Sequence, residues 1–69
     1  MKYNFQVGDL FVSSFPGQPN HTGIIVKFND MLTYPYYIEW SNSGSSHYKE
    51  YEILDLIKGK SVTYFPIVK

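Results

Sequence analysis

Gly23-Ile24-Ile25-Val26-Lys27-Phe28 is apolar, rich in β-branched residues and interrupted by a single charge. Branched side chains pack well on a pleated surface, so the run reads as a strand buried on at least one face. Periodicity alone does not separate strand from helix over so short a stretch; the flanks do. Pro19-Asn20-His21-Thr22 before it and Asn29-Asp30 after it are turn-forming. Tyr36-Tyr37-Ile38-Glu39-Trp40 follows closely and supplies the natural antiparallel partner. Alternation along the two runs places Ile24, Val26 and Phe28 on one face of the first. On the second it places Tyr36, Ile38 and Trp40 on one face and Tyr37 and Glu39 on the other.

Upstream, Leu10-Phe11-Val12-Ser13-Ser14 reads as another strand. With Leu10 and Val12 inward, Phe11 is expected to face out or to cover the open end of the sheet. Tyr3-Asn4-Phe5-Gln6-Val7 alternates as an edge strand or lead-in arm, and Gly8 turns the chain at Val7-Gly8-Asp9. The loop from Phe15 to Thr22 is stiffened by Pro16 and Pro19. Downstream, Asn29 to Thr33 is a connection longer than a two-residue hairpin. Ser41 to Ser46 is a polar hairpin loop, and His47 to Tyr51 continues as a strand. Glu52 to Ile57 is one turn of helix or a short strand, its apolar spacing fitting the helical turn slightly better. After a turn at Lys58-Gly59-Lys60, Ser61 to Val68 forms the last strand, which Pro66 places on an edge.

About five or six short strands at intervals of about 8–12 residues, with little helix, predict an all-β fold, a small antiparallel barrel or sandwich. Closing the sheet is the best way for so small a domain to hide its edges. The 69 residues form one domain, with residues 1–6 as a lead-in arm and 58–69 as the C-terminal strand. So short a chain buries only about 60% of the surface it exposes when unfolded. It has no cysteine, hence no disulfide staple, thiolate metal site or thiol nucleophile, which suits the cytoplasm. The core must come from seven Tyr, five Phe and one Trp. Trp40, Tyr36, Phe28 and Tyr48 are expected inside it. Phe11, Phe15, Tyr34, Tyr37, Tyr51 and Tyr64 are candidates for a second, exposed set, which serves an interface, caps the open ends of the barrel or packs under the tail strand.

Net charge is zero and Arg is absent. Phosphate neutralisation supplies most nucleic-acid affinity, and Arg is its preferred bidentate reader, so this balance argues against a nucleic-acid partner. No apolar run reaches the ~20 residues of a membrane span, and the first residues do not make a signal peptide. His21 and His47 are far apart in sequence, and no spacing couples a nucleophile to a base. The expectations are no enzyme activity, no metal and no cofactor.

The order Val7-Gly8-Asp9-Leu10, Gly23-Ile24-Ile25-Val26, Tyr37-Ile38-Glu39-Trp40, then Tyr48 and Ile53-Leu54, resembles SH3-like small barrels of the KOW and Tudor kind. More narrowly, the chain resembles short uncharacterised proteins encoded by large tailed phages, including phages of cyanobacteria. The resemblance covers roughly residues 7 to 57. It implies a five-stranded barrel with a binding role and no catalytic residue, acting in the host cytoplasm or in a virion. KOW modules that touch nucleic acid tend to be basic, whereas this chain is neutral. The expected role is a protein-interaction module with a protein partner or a second copy; the alternative is a nucleic-acid-binding KOW-like barrel. In SH3-like barrels the loop comparable to Phe15–Thr22 faces the hairpin loop, and ligands occupy the groove between them. The resemblance therefore implies a binding site bordered by Phe15, His21, Tyr37 and Tyr51, with the sheet edge near Pro66 as the competing dock.

Overall fold

A computed structural model describes residues 3–14, 17, 19–41 and 44–67. Five strands and one helix follow in the order β1 (Leu10–Ser13), β2 (His21–Phe28), β3 (Tyr36–Trp40), β4 (Gly44–Tyr48), α1 (Glu50–Lys58) and β5 (Val62–Phe65). All pairings are antiparallel, and the sheet runs β4-β3-β2-β1-β5. This is a small, barrel-like all-β fold, with the helix connecting the two edge strands. β5 is an edge strand, the position expected for it, and Pro66 follows just beyond its end.

β2 and β3 pair as expected, from Gly23 opposite Trp40 to Phe28 opposite Tyr36. The register shifts between Ile25 and Lys27, so Val26 is the extra residue of a bulge. Two expectations for β2 are corrected. Ile25, not Ile24, points into the core. Phe28, set opposite the buried Tyr36 by the bulge, lies at the strand end and is 49% exposed rather than in the core. β3 keeps its expected alternation: Tyr36 and Ile38 are buried, Trp40 is half-buried, and Glu39 faces solvent.

β1 has the opposite phase to the expected one. Phe11 and Ser13 are buried, while Leu10 is exposed. Phe11 is in fact the largest fully buried side chain, stacked on Tyr64 at 5.3 Å and tilted against Phe5 at 6.1 Å. Leu10 lies instead beside Phe65 on the outer face. The core comprises Phe5, Phe11, Ile25, Tyr36, Ile38, Ile53 and Val62, with Tyr3, Trp40, Tyr48, Leu54, Leu56, Ile57 and Tyr64 packed around it. Trp40 lies flat across Gly23: a Cβ there would come within 2.6 Å of the indole ring. Its Nε1–H donates to the Tyr48 hydroxyl at 3.0 Å, which satisfies the polar end of a half-buried ring.

The helical reading of Glu52–Ile57 holds, and the helix is longer, beginning at Glu50 and ending at Lys58. Consequently β4 stops at Tyr48, and Glu50 and Tyr51 belong to the helix rather than to a strand. The Glu52 carboxylate accepts the Lys49 N–H at 2.7 Å, closing the first turn. Glu50 and Glu52 at the N-terminus and Lys58 at the C-terminus suit the helix dipole. Ile53 is the fully buried anchor. At the far end, Lys60 N–H donates to Ile57 O and Ser61 N–H to Leu56 O, the bonding of a Schellman cap. The cap puts the left-handed conformation on Lys60, with φ 59°, rather than on the neighbouring Gly59. A side chain resists that conformation, so Lys60→Gly is expected to stabilise the protein by about 0.5–1 kcal/mol. In a domain this small the melting temperature should rise by roughly 2–8 °C. An unchanged or lower value would show that the Lys60 side chain compensates.

Candidate functional site

Phe15, the first expected site residue, lies outside the described residues, as do Pro16 and Gln18. The other three do not form one cluster. His21 opens β2, half-buried, with its N–H donating to Ser13 Oγ at 3.1 Å. Tyr37 and Tyr51 lie toward the opposite end of the sheet, near the β2–β3 hairpin. An eight-residue strand separates those ends by roughly 23 Å at ~3.3 Å per residue. Ser41 N–H donates to Thr22 O at 2.9 Å and Ser41 Oγ accepts from Thr22 N–H at 3.1 Å, which extends the β2–β3 pairing one step past Trp40. Asn42 and Ser43 of the expected hairpin loop lie outside the described residues, and Gly44 to Ser46 belong to β4.

Tyr37 is half-buried on the outer face, its ring 4.5 Å from that of His47 on β4. Register sets Lys27, Tyr37 and His47 in one row across β2, β3 and β4. With Asn29, Leu32 and Pro35 they line an open cleft of about 390 Å³. Tyr51, 58% exposed in the first turn of α1, flanks Lys49. The Lys49 ammonium lies 5.7 Å from the centroid of the Tyr51 ring and 5.1 Å from that of Tyr34. Each such contact is worth about 0.5–1 kcal/mol at an exposed site.

The most conspicuous apolar surface adjoins these residues. The hairpin from Phe28 to Tyr36 closes with Asn29 N–H donating to Pro35 O at 3.0 Å. Asn29 then shapes the tip: its Oδ1 accepts from Met31 N–H at 3.0 Å and its carbonyl from Leu32 N–H at 3.1 Å. This pushes Met31 out to 89% exposure, beside Leu32 and Tyr34, which are also exposed. Among the described residues, five of the nine exposed large hydrophobics, Phe28, Met31, Leu32, Tyr34 and Tyr51, gather at this end. The sequence reading treated Asn29–Thr33 only as a connection and missed Met31 and Leu32. The signal was available: an apolar pair at a hairpin turn is beyond the reach of any core.

A second polar feature is structural rather than accessible. Asp9 is 1% exposed, and its carboxylate gathers distant parts of the chain. Oδ2 accepts from Gln6 N–H at 2.9 Å and from the Tyr64 hydroxyl at 2.7 Å, and Oδ1 accepts from Ile67 N–H at 2.8 Å. Burial first, then the hydrogen bond to Asp9 and its negative charge, raise the Tyr64 pKa well above the ordinary tyrosine value. Burial likewise raises that of Tyr36, helped by Glu50 and Asp9. Gly8, with φ 102°, makes the adjoining turn, and a Cβ there would collide with Ile67 Cδ1. Asp9 thus ties the N-terminal arm and the C-terminal segment to the barrel.

Among the described residues no group of three or more His, Asp or Glu side chains is placed to hold a metal ion. None of the described helices is long and apolar enough to cross a membrane. Comparison with protein-family models, with curated proteins and with solved structures finds no match to this chain.

Proposed function

We propose that this chain is a non-enzymatic protein-interaction module that docks a protein partner through the β2–β3 hairpin tip. The observation that carries the reading is the grouping at one end of the domain of Phe28, Met31, Leu32, Tyr34 and Tyr51, all exposed, with Met31 at 89%. Aromatic residues and Met are the types that protein interfaces favour, because they supply contact area without charged groups to desolvate. The surrounding polar groups, Lys49, Asn29 and Asp30, make a rim rather than a basic stripe. A phage-encoded factor, either a virion component or a protein that binds a host protein, fits this role; the phage assignment rests on sequence resemblance. Its compartment would then be the host cytoplasm or the virion.

The test is capture of partners from expressing or infected cells, followed by direct titration of a purified partner. Met31→Glu combined with Tyr51→Ser is expected to weaken binding at least tenfold, or ~1.4 kcal/mol, with the fold retained because both side chains are exposed and only the Lys49–Tyr51 contact is lost. If instead His21→Ser abolishes binding and the tip variant does not, the dock is at the opposite end of the sheet, where His21 opens β2. Submicromolar binding of an oligonucleotide at about 150 mM salt would overturn the reading in favour of the nucleic-acid-binding KOW-like alternative.

A further inference from the structure

The sheet order leaves two edges, β4 and β5, and they are treated differently. β5 ends at Pro66, and the ring of its Tyr64 is met edge-on by Tyr3 at 5.4 Å and by Phe5 at 5.2 Å. β4 is Gly44-Ser45-Ser46-His47-Tyr48, with its first four residues exposed. It carries no Lys, no Pro and no bulge, the devices by which natural edges avoid pairing with other chains. Its backbone polarity follows from β3. Asn29 N–H donates to Pro35 O and Ser41 N–H to Thr22 O, so residues 35, 37, 39 and 41 direct their backbone groups to β2. Residues 36, 38 and 40 then bond β4, through Tyr48, Ser46 and Gly44. This leaves the N–H and C=O groups of Ser45 and His47 pointing away from the sheet. Among the described residues no turn or loop backbone group bonds them.

We infer that β4 pairs with β4 of a second copy of this chain, antiparallel about a two-fold axis at Ser46. In that register Ser45 faces the partner's His47 and His47 the partner's Ser45, so the outward groups satisfy one another in four hydrogen bonds. The strand is self-complementary in this respect: its free donors and acceptors are symmetric about Ser46, as an isologous contact demands. Gly44, Ser45 and Ser46 are small enough to let two edges approach. β4 has no charged residue and the whole chain is neutral, so nothing electrostatic opposes the pairing of identical copies. The contact is short and therefore weak, with dissociation expected at roughly 10 μM to 1 mM. It is independent of the apolar tip, which would remain free on each copy.

Sedimentation velocity across that concentration range should show a monomer–dimer equilibrium. Ser46→Lys and Ser46→Glu each set like charges opposite one another on the axis, and each should be at least tenfold weaker as a dimer; mixed, they should form a heterodimer. Met31→Glu should leave the dimer intact. Amide hydrogen exchange on the wild-type chain supplies a readout that does not depend on any variant. The Ser45 and His47 amides should become protected only at high concentration, while the Ser46 amide, bonded to β3, is protected throughout. A chain that stays monomeric to 1 mM overturns the inference. So does a dimer unaffected by Ser46→Lys, or one whose Ser45 and His47 amides exchange freely.

Discussion

Asp9→Ala is expected to destabilise the protein by about 3–5 kcal/mol. The substitution removes a buried carboxylate that accepts three hydrogen bonds and leaves the N–H groups of Gln6 and Ile67 and the hydroxyl of Tyr64 without their acceptor. A domain of this length has only about 3–10 kcal/mol to lose, at ~0.05–0.15 kcal/mol per residue. Much of the population should therefore be unfolded at 37 °C. Asp9→Asn is expected to be intermediate: whichever way the amide turns, its NH2 faces an N–H donor. The same clasp shapes the alkaline limb of stability. Tyr64 has its pKa raised in the folded state, so below the ordinary tyrosine value of about 10 its contribution is fully present. Above that pH the unfolded state releases the proton more readily, and the contribution is lost as pH rises toward the folded-state value. Tyr64→Phe should flatten this fall. Urea titrations at neutral pH and at pH above 10 would check both statements; an Asp9→Ala protein with unchanged midpoint would show that the clasp is dispensable.

Phe11→Ala should cost about 3–5 kcal/mol, and Leu10→Ala less than about 1 kcal/mol. Phe11 is 1% exposed and contacts Phe5 and Tyr64, so its truncation loses both transfer energy and packing. Leu10, 38% exposed, loses only part of a surface contact with Phe65. The pair tests the phase of β1 directly. If Leu10→Ala proves the costlier change, the strand is one residue out of phase and every inward side chain of β1 must be reassigned.

Local chemistry in the sequence determined the number of strands, their antiparallel character, the pairing of the two central runs and the edge position of the last strand. Each has a short-range cause. β-branched and aromatic runs favour a pleated surface, turn residues between them force reversals, and Pro66 cannot donate to a ladder. The helical spacing at Ile53, Leu54, Leu56 and Ile57 was also legible, although the start of α1 at Glu50 was not, because it depends on Glu52 reaching back to Lys49. Tertiary structure alone decided which faces turn inward. In β1 the candidates were nearly balanced, Leu10 and Val12 against Phe11 and Ser13. The choice fell to Phe11 because Phe5 and Tyr64 converge on it from opposite ends of the chain. In β2 the bulge at Val26 changed the phase mid-strand, setting Lys27 in the outer row and Phe28 opposite Tyr36, and the end of the strand left Phe28 49% exposed. Of the expected site, Tyr37 and Tyr51 were found near the apolar end, but His21 was not, since strand length fixes a separation that sequence proximity to a loop does not reveal. Asp9 was readable only as a turn residue. Its partners Tyr64 and Ile67 lie 55 and 58 positions away, and no local pattern encodes a carboxylate whose ligands arrive only when the last strand docks.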